Sequence, residues 1–137
     1  MSLQLNSFIL MNGRAKEAIE FYQQVFDAKV IFKQTIGEGP DASKFKENEL
    51  DFIAHSILKI GETEIMVADI IPSLPFQKGN QISICVTCND STESKYIFEK
   101  LKENGQIVSE LNEIHFSPAY GIVTDKFDVT FQIFTKR

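Results

Sequence analysis

The short apolar run that follows Ser7 and ends at Met11 predicts a strand, and Asn12-Gly13 ends it. Ala15, Ala18, Ile19, Tyr22, Val25 and Phe26 then recur at helical spacing, so residues 14–26 predict an amphipathic helix. Residues 29–35 are rich in β-formers, and residues 37–49, with Gly, Pro and many charges, predict an exposed loop. Residues 52–60 and 63–68 predict a hairpin about Gly61-Glu62. After a connection over residues 69–80 that contains Pro72, Pro75 and Gly79, the order starts again. Residues 81–88 predict a strand. Asp90-Ser91-Thr92-Glu93 has the spacing of a capping box, and the helix it opens runs to about Asn104, with Gly105 as its left-handed stop. Residues 106–111, 114–124 and 129–135 complete the strands.

An offset of 76 positions lays Ser7 on Ser83, Leu10 on Val86, Glu17 on Glu93, Tyr22 on Phe98 and Val25 on Leu101. One repeat this long implies a duplicated half rather than a solenoid. The expected fold is therefore α+β, with two βαβββ modules in one domain over residues 1–137. The first module covers 1–70; the connection and the second cover 71–137. Alternation favours Phe8, Leu10, Ile84 and Val86 for packing against helices, with Val129, Phe131 and Ile133 in the last strand. It leaves Ile9, Met11, Ser83, Cys85 and Thr87, with Thr130, Gln132 and Phe134, for the opposite face.

A net charge of -5, with Lys and Arg scattered among acidic residues as in Lys44-Phe45-Lys46-Glu47, argues against nucleic acid as a partner. No apolar run reaches the length of a membrane span. The start lacks the features of a signal peptide, so the expected setting is cytoplasmic, and the two cysteines fit a reducing compartment.

The run Asn12-Gly13-Arg14-Ala15-Lys16-Glu17-Ala18-Ile19-Glu20-Phe21-Tyr22 resembles the "NGxAxEAxEFY" opening of the PhnB-like branch of the vicinal-oxygen-chelate (glyoxalase/bleomycin-resistance) superfamily. The run from Tyr120 to Ile133 resembles its closing "GxxxDxFGVxWQI", and His55 before a Gly-turn hairpin and Asp69 fit as well. The resemblance covers nearly the whole chain. It implies paired βαβββ modules whose sheets curve around a cavity, and a homodimer. Some members of the branch carry a demethylubiquinone-methyltransferase-like label, yet no Gly-rich strand-to-helix turn for a methyl donor is present here. Asp27 and Asp128 stand where the branch has Gly, at positions expected to need positive φ, and Phe131 stands where it has Trp.

Metal enzymes of the superfamily place ligands near the start of each module's first strand and near the end of its last. Carried over by motif, these positions are Ser7 and Ser83, Gln132, and a residue near Ile65. Hydroxyls and an amide are poor ligands for a divalent ion, so neither a standard metal site nor a cofactor is expected. The expected function is binding of a small organic molecule in a sheet-lined cavity. An enzyme with an unusual metal set or a His-based acid–base mechanism is the alternative, and no catalytic residue is assigned.

The residues expected to line the cavity are His55, Gln132, Ser83, Met11, Met66 and Asp69. His55 leads because an imidazole exchanges a proton near neutral pH; the competing reading is a half-buried histidine satisfied by a neighbour. Glu62, Glu64 and Asp69 read either as solvated turn charges or, for Asp69, as a cavity edge. His115 reads as a surface or dimer-contact residue. Cys85 and Cys88 have redox or zinc spacing, but strand alternation sends them to opposite faces and no second pair follows.

Overall fold

The computed structural model describes residues 3–137. Their regular structure is two βαβββ repeats. The first runs β1 (Phe8–Met11), α1 (Ala15–Phe26), β2 (Lys29–Thr35), β3 (Ile53–Ile60) and β4 (Thr63–Asp69). The second runs β5 (Ile84–Cys88), α2 (Ser91–Lys102), β6 (Gln106–Ile114), β7 (Ser117–Thr124) and β8 (Thr130–Thr135). The strand orders are β1-β4-β3-β2 and β5-β8-β7-β6. The first strand of each repeat lies parallel to the last, and the other pairs are antiparallel. The fold is thus α+β with two open mixed sheets. The chain divides into two compact units, one ending at Phe76 and the other running Gln77–Arg137.

In the first unit α1 buries Ala15, Ala18, Ile19, Phe21, Tyr22 and Val25. The sheet meets it with Ile9, Met11, Leu58, Ile65 and Val67, all buried. Each such side chain contributes roughly 1.5–3 kcal/mol on leaving water, so this layer dominates the unit's stability. In the second unit α2 buries Ile97, Phe98 and Leu101 over Val123, Phe131 and Ile133. The Asp90 carboxylate accepts from the Glu93 backbone N–H at 2.9 Å, and Glu93 accepts from the Asn89 N–H at 3.1 Å, one residue earlier than the usual box.

The faces of the second sheet match the alternation read from the sequence; β1 does not. Phe8 and Leu10 are exposed, while Ile9 and Met11 are buried on the helix side. The helices correspond at an offset of 76, but Met11 pairs with Asp69 where Cys88 pairs with Thr135, so the strands correspond at 77. The connection between β1 and α1 holds one more residue than that between β5 and α2, and a one-residue slip turns a strand over.

Smaller differences have local causes. Asn104, at φ 58°, takes the left-handed position that the sequence suggests for Gly105. A Cβ on Gly105 would lie 2.3 Å from the Thr124 carbonyl oxygen, so glycine is needed there for close approach. β6 reaches Ile114 because register shifts after Ile107, Ser109 and Asn112 break the alternation that would mark it. β5 starts only at Ile84, and the 37–49 loop contains two short 3-10 turns. Asp27 and Asp128 have φ of 54° and 68°, the positive values expected at these two positions.

Candidate functional site

β3 carries His55 on the face of the first sheet away from α1. Register puts Gln34 directly beside it on β2, and Ile57, one alternation along, lies between Phe32 and Met66. Phe8 pairs with Met66 from the other side. The imidazole is half-buried between two rings, Phe8 at 5.8 Å and Phe32 at 5.9 Å between centroids. Neither imidazole nitrogen bonds to any described residue. Among the described residues, then, no neighbour satisfies this histidine.

A register shift beside Gln34 and Thr35 leaves Ala54 unpaired at the start of β3. Next to this bulge opens a cleft of about 270 Å³. Ile36, Pro40 and Phe45 wall it from the long β2–β3 connection, Ala54 and Asp69 from the sheet, and Gln34 joins it to His55. The volume lies at the small end for an organic ligand. Gln34, Phe8 and Phe32 are absent from the residues suggested by the sequence. The extra residue after β1 and the pairing of Gln34 with His55 are the signals, and both need the structure.

Of the residues expected to line a cavity, His55 and Met66 lie together on this open face. Met11 does not: at 2% exposure it packs on the helix side, for the register reason given above. Asp69 is buried rather than a solvated turn charge, and it borders the cleft. One carboxylate oxygen accepts from the Ala15 N–H at 3.0 Å and the other from the Ile53 N–H at 2.9 Å. Arg14 supplies no side-chain cap, so Asp69 caps α1 from a neighbouring strand, where the helix dipole favours an anion. Glu62 is exposed and Glu64 half-buried.

On the second sheet Gln132 pairs with Cys85 and Ile122, and its Oε1 accepts from the Tyr120 hydroxyl. Ser83, half-buried, precedes β5 on the alternation of Cys85. His115 sits exposed in the β6–β7 turn with its ring 5.0 Å from Phe116. Cys85 is exposed and Cys88 buried, on opposite faces; burial, first, raises the Cys88 thiol pKa, with Ser94 opposing.

A divalent ion does not suit these donors. Among the described residues no three His, Cys, Asp or Glu side chains gather. Sheet pairing also moves the first module's counterpart of Gln132 from Ile65, which is buried against the helix, to Met66. A thioether and an amide already engaged by Tyr120 are weak ligands for a hard cation.

Comparison with known proteins gives a consistent picture. The family model described as 3-demethylubiquinone-9 3-methyltransferase matches residues 4–134. Protein YjdN of Escherichia coli (strain K12) is 27% identical over 96% of this chain and 94% of its own length. The solved structure of a putative 3-demethylubiquinone-9 3-methyltransferase, PhnB protein, from Bacillus cereus has a TM-score of 0.81 at 25% identity, covering 97% of this chain and 99% of that one. A mutant of the genomically encoded fosfomycin resistance protein FosX from Listeria monocytogenes, complexed with Mn(II) and 1S,2S-dihydroxypropylphosphonic acid, has a TM-score of 0.68 at 15% identity. It covers 100% of this chain and 95% of that one, and is alike in fold alone.

Proposed function

Because the chain belongs to the family described as 3-demethylubiquinone-9 3-methyltransferase, the PhnB-like branch of the vicinal-oxygen-chelate superfamily, we propose that it binds a small organic molecule on the open face of its first sheet, without a standard metal site. The observation that carries this reading is the imidazole of His55, set between Phe8 and Phe32 with no bond to a described residue. No side-chain nitrogen is buried without a partner among the described residues, so the imidazole nitrogens reach solvent and are open to a ligand's hydrogen bond. Met66 and the aromatic rings supply apolar contact, and the cleft beyond Gln34, walled partly by Asp69, gives depth. Gln132 and Ser83 are the corresponding candidate contacts on the second sheet. That FosX takes a dihydroxypropylphosphonic acid supports small-molecule binding by this fold. Methyl transfer is not carried over, since no Gly-rich strand-to-helix turn is present. A homodimer in the cytoplasm belongs to the same proposal.

The test is a thermal-shift screen of small organic molecules, with and without EDTA, followed by NMR of the imidazole signals. A ligand that binds in EDTA and moves the His55 signals supports the reading. His55→Ala should weaken that ligand about tenfold while keeping the native melting temperature. A variant that melts well below the native protein yet binds equally well means a structural histidine and sinks the proposal. Metal-dependent turnover abolished in His55→Ala would favour the enzymatic alternative instead.

A further inference from the structure

The cleft beside Gln34 has a one-sided charge. The charged residues on its lining are Asp41 and Asp69, and neither Lys nor Arg lines it. Asp69 is 7% exposed, and each of its carboxylate oxygens accepts one backbone N–H, from Ala15 and from Ile53. An ionised carboxylate has about four acceptor positions, so these two bonds hold the group still and leave it able to accept again. The Gln34 amide bonds to no described residue, and it can turn either its oxygen or its NH2 group to a ligand.

The lysines about the site are already matched by carboxylates. Lys44 pairs with Asp41 at 3.3 Å from its own exposed turn. On the open face of the sheet Lys29 pairs with Asp27 at 3.1 Å, and register sets Lys59 opposite Glu64. An anion entering the cleft therefore meets carboxylates and no cation assigned to it. A cation is attracted, most strongly toward Asp69, because burial lowers the local dielectric. The aromatic rings act in the same direction. Phe45 walls the cleft, Phe8 and Phe32 flank His55 next to it, and the face of such a ring attracts an ammonium group. The remaining walls, Ile36, Pro40, Ala54 and Ile71, are apolar, and the volume of about 270 Å³ limits what accompanies the charge to a small apolar group.

We infer that the ligand of the first sheet is a small organic amine, whose ammonium group donates to Asp69 and Asp41 in the cleft while its apolar part packs on Phe45. It rests on the proposed function in treating the cleft as the deep end of that site, and it adds the charge of the ligand.

Three probes of one size test it on the full chain by fluorine NMR: 4-fluorobenzylamine, a cation; 4-fluorobenzyl alcohol, which is neutral; and 4-fluorobenzoate, an anion. The amine should bind about tenfold more tightly than the alcohol, and the benzoate should show no broadening. Added salt should weaken the amine and leave the alcohol unmoved. Asp41→Asn, on the exposed turn, should weaken the amine about threefold without touching the alcohol, whereas Phe45→Ala should weaken both. Asp69→Asn should lower the preference for the amine further. Melting curves show whether it folds; if it does not, Asp41→Lys takes its place and should weaken the amine about tenfold. Equal or tighter binding of the benzoate overturns the inference, as does an amine indifferent to these aspartate variants. So does the absence of binding by all three probes at millimolar concentration. An amine weakened by His55→Ala but by no aspartate variant overturns the charge of the ligand and leaves the reading of His55 standing. An amine weakened by the aspartate variants and indifferent to His55→Ala supports the inference and removes His55 from the site.

Discussion

Asp69 shows how one side chain can anchor a module. It ties the first turn of α1 to the start of β3 through two backbone amides that have no other partner in regular structure. Its counterpart by sheet pairing in the second module is Thr135, which does the same work by hydroxyl contacts to Ser94 and to the Ala119 carbonyl oxygen, the latter at 2.6 Å. Asp69→Ala leaves two buried N–H groups unsatisfied, so it should cost about 3 kcal/mol in urea titrations, and Asp69→Asn, which keeps one acceptor, about half that. A loss below about 1 kcal/mol for the alanine variant would refute the anchoring role. From sequence alone, Asp69 is visible only as part of an acidic cluster, because its partners lie 54 and 16 residues away. His55 is legible as a titratable group on a strand. Its lack of a partner is not, since that depends on every side chain around it.

At the scale of elements, most strands and both helices are legible because their apolar spacing is regular and their ends carry turn residues. What escapes are the features that leave spacing intact or break it locally: the extra residue that turns β1 over, and the register shifts that hide the end of β6. Gly105 belongs to the same class. A left-handed stop and a close approach both favour glycine, and only the structure separates them. The distinction has a consequence. If Gly105 served a left-handed turn, a replacement would be limited to the strain of that conformation. Because its position is set by the Thr124 carbonyl oxygen and by Asp125 atoms at 3.0 and 3.1 Å, even a methyl group has to push backbone aside. Gly105→Ala should therefore cost about 2 kcal/mol or more by thermal unfolding, with the loss appearing as a loosened junction of α2, β6 and β7 in hydrogen exchange. Unchanged stability would mean that the junction yields freely.

The two modules share a topology and have diverged in what they offer. β2 and β3 are joined through residues 36–52, and this insertion supplies the wall of the cleft; β6 and β7 are joined by the short turn at His115 and Phe116, which instead stacks the Phe116 ring on Phe134. Duplication thus provides two open faces, and connection length gives each a different chemistry. The same chain leaves apolar surface that neither face explains. Leu3, Leu5 and Ile82 are 85%, 99% and 86% exposed, close in sequence to the first strands of the two sheets, β1 and β5. Water-exposed aliphatic side chains near unpaired sheet edges favour association, and a second copy of the same chain is the partner always present at matching concentration. The homodimer proposed above should therefore appear in light scattering as twice the chain mass at micromolar concentration. Leu5→Glu combined with Ile82→Glu should halve that mass while the far-ultraviolet circular dichroism stays native. A native protein that scatters as a monomer, or a double variant that remains dimeric, would place these leucines and Ile82 outside any interface between copies.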